Sequence, residues 1–276
     1  MSVDLHCHSN VSDGRLAPAD LVRRAAARGV DLLALTDHDE LAGLEEAQVA
    51  AREVGIGFVN GVEISVTWRG KTVHVVGLGI DRSDAALAAG LARVRSGRTR
   101  RAQAMAHSLA RAGIRGSFEG ALALAENPAM IGRTHFARHL AATAVVATPA
   151  EAFRHYLVPG KPGYAPHDWA ALRDAIGWIL GAGGQAVLAH PGRYAFSAGA
   201  LHALIAEFCA LGGRALEIET SNHSADQVGL FTALARHFGL CASCGSDFHA
   251  PDEGAEFGAL PGIALPVPSI AETWRS

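Results

Sequence analysis

The stretch Val3-Asp4-Leu5-His6-Cys7-His8 alternates apolar and polar side chains, which is the pattern of a half-buried β-strand. Successive side chains of a strand point to opposite faces, so we expect the three apolar residues on one face and Asp4, His6 and His8 on the other. Two imidazoles that project together can chelate one ion such as Zn, Mn or Fe. The stretch therefore predicts the first strand of the fold and the start of a metal site.

Strand and helix patterns alternate outward from this stretch. Helical patterns begin near Pro18 and Leu44, and Gly29 and Gly55 follow them at positions typical of helix ends. A turn at Trp68-Arg-Gly-Lys71 predicts a hairpin between two β-rich runs. The sequence contains seven strand patterns, at residues 3–8, 31–36, 58–66, 72–78, 185–189, 214–219 and 239–243. This interrupted series favours an α/β fold of the distorted (β/α) barrel type over an open doubly wound sheet.

Residues 84–164 interrupt the alternation with helical patterns that are rich in Ala and Arg. We predict that they form an inserted helical subdomain that caps the substrate, while residues 1–83 and 165–276 form the barrel. The run of arginines between Arg93 and Arg101 is interpreted as a solvated helix face.

Composition excludes several classes of protein. The chain has 276 residues, of which 24 are Lys or Arg and 27 are Asp or Glu, and this balance argues against a broad electrostatic grip on duplex DNA or on a membrane. No apolar run reaches the roughly 18 residues that span a bilayer, and no export signal is evident, so we expect a cytoplasmic protein. Neither a dinucleotide fingerprint nor a phosphate loop is present.

Histidines and carboxylates recur where apolar runs end, which is where barrel enzymes build their active sites. These endings are Thr36-Asp-His38, Gly61-Val-Glu63, Ala189-His190-Pro191 and Ser246-Asp-Phe-His249. His74 lies in the hairpin partner of the strand that carries Glu63, and Asp13 follows the first strand by one loop. So many endings of this kind are improbable by chance, and they predict one shared site at a wet barrel mouth.

These residues resemble the PHP (polymerase and histidinol phosphatase) superfamily over nearly the whole chain. The resemblance implies a distorted barrel of seven strands with two or three divalent metal ions at its mouth. Manganese is favoured, and Fe, Zn and Mg remain open. The resemblance implies nine metal ligands, which are His6, His8, Asp13, His38, Glu63, His74, His190, Asp247 and His249. It further assigns one ion to His6, His8, Glu63 and Asp247, a second to Glu63, His74 and His190, and a third to Asp13, His38 and His249.

Such a centre suits phosphate chemistry, because the positive charge of the divalent ions exceeds the negative charge of the carboxylates of Asp13, Glu63 and Asp247. Metal ions close together can deprotonate a bridging water, and the resulting hydroxide can attack phosphorus. The general acid is left open between Asp247, Asp37 and a metal-activated water.

The stretch Ile131-Gly-Arg-Thr-His-Phe-Ala-Arg138 places Arg133 and His135 at a helix start, where both could bind a phosphate. It resembles the Gly-Arg-x-His signature of the PHP branch that acts on nucleoside 3′,5′-bisphosphates and is also linked to 5′-end trimming of short RNA. An amphipathic helix with solvated Arg and His is an equally open interpretation. Further candidates for phosphate binding are Arg193, Asn222, His223 and Lys161.

The leading hypothesis is a metal-dependent phosphatase that removes the 3′-phosphate of a nucleoside 3′,5′-bisphosphate. The alternatives are a 5′-to-3′ exoribonuclease on short 5′-phosphorylated RNA, a histidinol-phosphate phosphatase and a non-catalytic metal-binding module. The expected partner is a small nucleotide or a short single-stranded RNA, and neither duplex DNA, a membrane nor an obligate protein partner is expected.

Overall fold

The computed structural model describes residues 2–260 and 266–274. At its centre, seven strands form one hydrogen-bonded path in the order β1-β2-β3-β4-β6-β7-β8, and the short β5 pairs with the side of β3. The strands are β1 (Val3–Asp4), β2 (Leu32–Leu35), β3 (Gly57–Trp68), β4 (Lys71–Leu78), β5 (Ala170–Ala171), β6 (Gln185–Leu188), β7 (Ala215–Thr220) and β8 (Cys241–Gly245). β4 runs antiparallel to both β3 and β6, and the other neighbours are parallel.

The two ends of the strand path meet and close the sheet into a barrel. The Leu5 amide donates to the Cys244 carbonyl at 3.0 Å, and the His8 amide donates to the Phe248 carbonyl at 2.9 Å. These bonds join the residues after β1 to β8 and to the residues after it. The expected distorted barrel is confirmed, with seven strands in its path as predicted.

Helices cover the outside of the barrel and fill the segment between β4 and β5. They are α1 (Pro18–Ala27), α2 (Leu44–Val54), α3 (Ala85–Arg95), α4 (Arg98–Arg111), α5 (Ser117–Ala123), α6 (Arg133–Ala142), α7 (Pro149–Ala152), α8 (Leu172–Gly181), α9 (Ala198–Ala210) and α10 (Ala225–Phe238). Left-handed Gly29 and Gly55 end the first two, at φ 79° and 77°, because glycine adopts this conformation without a Cβ clash. None of the described helices is both long and apolar enough to cross a bilayer.

The strands sort their side chains between two apolar layers. In β2, Leu32 and Ala34 pack inside the barrel, whereas Leu33 and Leu35 pack outward against the helices. The same period of two places Glu63 of β3 and Glu217 of β7 on inward positions at the mouth.

The first strand breaks this alternation, and the prediction that its apolar residues share one face is wrong. Leu5 packs inside the barrel, but Cys7 packs in the outer layer and its thiol donates to the Ala34 carbonyl at 3.2 Å. Regular strand geometry ends at Asp4, and the irregular backbone after it is what lets Leu5 fill the interior while the next imidazole points to the mouth.

The helical segment has an apolar cluster of its own, which includes Met105, Leu109, Phe136 and Leu140. The first helix of the segment is different, because the side chains of α3 pack in the outer layer of the barrel. The division at residues 84 and 164 stays a prediction, and this packing favours a separate helical core that begins at α4.

Candidate metal and phosphate site

Glu63 lies at the centre of the barrel mouth, with a side chain that is 1% exposed. Its Oε1 lies 2.8 Å from His74 Nδ1 and 3.0 Å from His190 Nε2. Its Oε2 lies 2.9 Å from His38 Nδ1 and 3.3 Å from His8 Nε2. With His6 Nε2 3.3 Å from Oε1, five imidazoles surround this one carboxylate.

Asp247 and Asp13 extend the cluster on either side. Asp247 Oδ1 lies 3.1 Å from His8 Nε2, and Asp13 Oδ1 lies 3.3 Å from His249 Nε2. The nine residues form four overlapping groups whose ligand atoms lie within 4.8 Å of one another. The groups are His6–His8–Asp247, His6–Glu63–His190, His38–Glu63–His74 and His8–Asp13–His38–His249. The structure therefore brings all nine residues together, and their assignment as ligands of particular ions stays a prediction.

Buried polar atoms without hydrogen-bond partners test whether a cation fits this cluster. They include His6 Nε2, His8 Nδ1, Asp13 Oδ1, Glu63 Oε2 and His190 Nδ1. Each unsatisfied buried group costs about 1–3 kcal/mol, so their concentration in one place requires an explanation. Imidazole nitrogens and carboxylate oxygens are the donors that divalent transition metals prefer. The residues therefore fit a divalent metal centre.

The electrostatics of the cluster also favour a cation. Burial raises the pKa of the Glu63 carboxyl, but the imidazoles of His74, His38 and His6 outweigh burial and hold this pKa well below its usual range. Burial lowers the pKa of His8, but Asp247 and Glu63 outweigh it and raise this pKa to about 10. The ionised carboxylates thus hold positive charge at the place where a metal ion would bind.

Backbone strain is concentrated at the same mouth. His190 and Asp247 follow β6 and β8 with φ values of 26° and 55°, in the region that residues with a Cβ avoid. Such conformations cost about 1–3 kcal/mol each and persist where the surrounding structure enforces them. Here they turn one imidazole and one carboxylate into the cluster.

One expectation about the mouth is wrong, and another stays a prediction without support from the structure. His6, His8 and Glu63 are at most 1% exposed, so the inner part of the cluster is buried rather than wet, and only its rim reaches solvent. Asp37 lies outside the four groups, since its carboxylate accepts hydrogen bonds from Ser9 and Ser12 at 2.6–2.8 Å. These bonds shape the loop before Asp13, and a role for Asp37 as general acid has no support in its contacts.

Glu217 is a residue that sequence reasoning missed. Its Oε1 accepts from His6 Nδ1 at 3.0 Å, and its Oε2 accepts from the backbone N–H of His190 at 2.5 Å. Carboxylates that bond the free nitrogen of a ligating imidazole fix its tautomer and its orientation. The available signal was a carboxylate on an inward position of a buried strand, between Leu216 and Ile218, which both pack outward.

Glu217→Gln is expected to destabilise the metal-free protein. The glutamine oxygen can still accept from His6, but its NH2 group then faces the N–H of His190, so two donors meet in a buried place. A loss of about 1–3 kcal/mol in the free energy of unfolding is expected, measured by urea denaturation after chelator treatment. Glu45→Gln, at a side chain that is 76% exposed, is the control. Equal stabilities of the two variants would contradict this role for Glu217.

The further candidates for phosphate binding lie in different surroundings. Arg193 pairs with Asp247 at the mouth, and in the amide orientation that satisfies both groups, Asn222 Oδ1 accepts from Arg193 Nε at 3.3 Å. Both ring nitrogens of His223 are engaged, because its Nε2 accepts from the Gly192 N–H at 3.0 Å and its Nδ1 donates to a backbone carbonyl, so its role in phosphate binding stays a prediction. Lys161 is exposed in the loop that closes the helical segment, and no hydrogen bond or ion pair joins it to the described site.

Two arginines of α4 are buried, which overturns their interpretation as a solvated face. Arg98 pairs with Asp39, and its guanidinium lies 5.0 Å from the centre of the Trp169 ring. Arg101 lies over the same ring at 5.1 Å, and its Nε donates to the Ala165 carbonyl. The sequence run did not show which arginines would face inward.

Arg101 and Arg133 form a positively charged pair beside the mouth. Within residues 2–260 and 266–274, no carboxylate forms an ion pair with either guanidinium. Burial lowers the pKa of Arg101 to about 9, and the neighbouring charges of Arg133 and Arg98 add to the effect. Burial also lowers the pKa of Arg133, which feels the attraction of Tyr164 and Asp13. Two cations without an ion-paired carboxylate, Arg101 buried and Arg133 partly buried, are suited to an anionic ligand.

His135 contributes an uncharged ring at the start of α6. Its Nδ1 accepts from the Gly132 N–H at 3.1 Å, so the ring proton of the neutral form is on Nε2. Burial lowers the pKa of His135 to about 4, which keeps the ring neutral. It can donate a hydrogen bond to a phosphate without adding charge.

Histidines and carboxylates with unsatisfied buried atoms cluster at the mouth of this β/α barrel. Together, this fold and this site define a metallohydrolase. Comparison with known proteins specifies the family. The PHP domain model matches residues 4–180. The chain belongs to the PHP family, as its motifs indicated.

Two relatives match over most of their length. The 3′,5′-nucleoside bisphosphate phosphatase of Chromobacterium violaceum is 54% identical over 253 residues, which cover 92% of this chain and 89% of the relative. The 5′-3′ exoribonuclease of Haemophilus influenzae is 42% identical over 255 residues, which cover 92% of each chain.

Two solved structures share the fold. An amidohydrolase from Chromobacterium violaceum, with bound sulfate and no metal, superposes with a TM-score of 0.96 at 51% identity and covers 99% of this chain and 96% of its own. A putative metal-dependent phosphoesterase from Bifidobacterium adolescentis has a TM-score of 0.82 at 28% identity and covers 99% of this chain and 94% of its own.

Proposed function

We propose that this chain hydrolyses the 3′-phosphate of nucleoside 3′,5′-bisphosphates, such as adenosine 3′,5′-bisphosphate, to release phosphate and a 5′-mononucleotide. The observation that carries the proposal is a cluster suited to divalent metals beside two guanidiniums that lack carboxylate partners. The phosphatase from Chromobacterium violaceum, at 54% identity, supports the same substrate class. The chain is a metal-dependent phosphoric ester hydrolase.

The nine clustered residues would hold two or three divalent ions, with manganese as the proposed metal. Such ions would lower the pKa of a bound water and neutralise the charge that develops on a phosphate. Glu63 and Asp247 keep the site anionic, and Glu217 orients His6 and the backbone of His190. Arg193 lies beside Asp247, where its guanidinium can turn to the phosphate that reacts.

The phosphate that does not react would bind to the other group of cations. Arg133 and Arg101 supply charge for the 5′-phosphate, and His135 supplies a neutral donor. Charge-assisted hydrogen bonds in such a buried place are stronger than ordinary ones, and the planar fork of arginine fits phosphate oxygens. A substrate with two phosphates at a fixed spacing would engage both groups, which explains a preference for a bisphosphate.

A second activity, the release of nucleotides from the 5′ end of short RNA, would use the same residues. The 5′-3′ exoribonuclease of Haemophilus influenzae, at 42% identity, favours it. The 5′-phosphate would bind in the same way, and the reacting group would be a phosphodiester instead of a monoester. Both activities fit a cytoplasmic enzyme whose segment 84–164 caps a small nucleotide or single-stranded substrate, and these two assignments remain proposals.

A substrate panel tests the proposed function. Purified protein with Mn²⁺ is incubated with adenosine 3′,5′-bisphosphate, 3′-AMP, 5′-AMP, histidinol phosphate and a 5′-phosphorylated RNA trimer, and phosphate and nucleotides are quantified. The expected result is a strong preference for the bisphosphate with 5′-AMP as product, lost with a chelator and restored by Mn²⁺. Trimer cleavage would add the exoribonuclease activity. Inactivity on every ester by protein with full metal content would overturn the proposal.

A further inference from the structure

The helical segment contacts the metal cluster directly at Asp13. Thr134, in the first turn of α6, donates its hydroxyl to Asp13 Oδ2 at 2.7 Å. The other oxygen, Oδ1, is buried without a hydrogen-bond partner and lies 3.3 Å from His249 Nε2 and 3.9 Å from His38 Nε2. The hydroxyl thus occupies one oxygen of the carboxylate and leaves the other facing the imidazoles.

The same helix also fixes the backbone around Asp13. Arg138, one turn after Thr134 and 5% exposed, donates to the Asp13 carbonyl at 2.7 Å. Its guanidinium also binds both oxygens of Glu253, at 2.7 and 2.9 Å, in the loop that follows His249. One arginine therefore joins the two mouth loops that carry Asp13 and His249.

We infer that Thr134 is a positioning residue for the outermost metal subsite, formed by His8, Asp13, His38 and His249. The inference rests on the metal centre of the proposed function and adds a role for the helical segment. Asp13 reaches this subsite from a turn outside the regular strands, whereas Glu63 is set on a barrel strand. A carboxylate on a loop needs an outside contact to keep one rotamer, and Thr134 supplies this contact from a residue 121 positions away in the chain.

The location of this contact links metal binding to substrate binding. Thr134 lies between Arg133 and His135, the two residues proposed to bind the 5′-phosphate. A single helical turn therefore presents donors to the substrate and holds a metal ligand. The subsite that involves Asp13 therefore depends on the docking of α6, whereas among the described residues no hydrogen bond joins α6 to Glu63, His74 or His190.

Mn²⁺ binding by full-length Thr134→Val tests the inference. Valine keeps the shape of the side chain and removes the hydroxyl. We expect one class of Mn²⁺ sites to weaken by roughly tenfold to a hundredfold while the other sites keep their affinity. Affinities are measured by competition with a fluorescent chelator, and bound metal is counted by elemental analysis after gel filtration.

Two further variants make the result specific. Thr134→Ser restores a hydroxyl and is expected to recover the affinity of the weakened site, which a general loss of folding would not allow. Thr143→Val removes a hydroxyl that bonds only the carbonyls of its own helix, at the other end of α6, and is expected to bind metal as the wild type does.

The outcomes separate this inference from the proposed function. Wild-type affinity at every site in Thr134→Val would overturn the inference alone, as would equal weakening of all sites without recovery by Thr134→Ser. A wild-type chain that takes up no Mn²⁺ would overturn the metal centre itself.

Discussion

Glu63→Gln is expected to reduce turnover by roughly a thousandfold or more, because the metal centre would lose its shared carboxylate. Five imidazoles lie within 3.3 Å of this side chain, and it belongs to two of the four candidate ligand groups. A bound metal ion contributes several kcal/mol to stabilising the charge of the transition state, and 1.4 kcal/mol corresponds to a factor of ten in rate. Glutamine has nearly the same shape, so the loss would report on charge and coordination.

Metal binding by this variant is measured separately from turnover. Ligands that bind only the folded state stabilise it by about 2.7 kcal/mol at a concentration of one hundred times Kd. Added Mn²⁺ should therefore raise the melting temperature of the wild type and of Glu207→Gln more than that of Glu63→Gln, which keeps only the two ligand groups that lack Glu63. Glu207 is a suitable control because it accepts from Trp68 Nε1 on the outside of the barrel, and glutamine keeps an acceptor oxygen there. Full metal content and full turnover in Glu63→Gln would refute the central place given to this carboxylate.

The parts of the fold that depend on local sequence could be predicted. The first two helices end at Gly29 and Gly55, whose left-handed backbone needs a residue without a Cβ. The predicted hairpin forms with Arg69 and Gly70 both at positive φ, which matches the twist of the strands that it joins. The apolar run that ends at Glu63 also predicted this residue at the barrel mouth, although β3 continues beyond it to Trp68.

Contacts between distant segments could not be predicted. Glu217 reaches His6 from a position 211 residues away, and nothing in the motif around either residue indicates the pairing. Asp37 has the residue type of a catalytic acid, but its oxygens are occupied by two serines from the neighbouring loop. His223 was a candidate for phosphate binding, and only the structure shows that both of its ring nitrogens are engaged. Residue type and spacing predicted which residues would lie at the site. The role of each residue depends on the hydrogen bonds that its side chain already makes, and only the structure shows these.

The sequence also did not show that charged side chains of the helical segment are buried. Five arginines lie between Arg93 and Arg101, and their spacing suggested a face in water. The structure turns Arg98 and Arg101 toward Trp169, which lies more than sixty residues further along the chain. Buried arginine is rare unless it is paired, and Arg98 is paired with Asp39. Arg101 has no such partner among the described residues, and this difference directs attention to the anion that it would bind with Arg133.

Arg133→Met is expected to convert an enzyme selective for bisphosphates into an unselective one. Methionine keeps an unbranched apolar side chain next to the Phe153 ring, which lies 5.7 Å from the guanidinium carbon, and removes only the charge and the donors. Loss of one partner from a buried charged hydrogen bond costs about 2–5 kcal/mol, so kcat/KM for adenosine 3′,5′-bisphosphate should fall by roughly thirtyfold to several thousandfold. The value for 3′-AMP should stay unchanged, because that substrate has no 5′-phosphate.

The ratio of kcat/KM for the two substrates distinguishes loss of the 5′-phosphate contact from a general loss of activity. A variant that is misfolded or poor in metal loses activity on both substrates in proportion, whereas loss of the 5′-phosphate contact changes only their ratio. Arg100→Met removes an exposed charge from α4 and is expected to keep the wild-type ratio, which controls for the change in overall field. If Arg133→Met kept the wild-type preference, the 5′-phosphate would have to bind elsewhere. Arg193 and Asn222 would then be the residues to test, because they also present donors at the mouth.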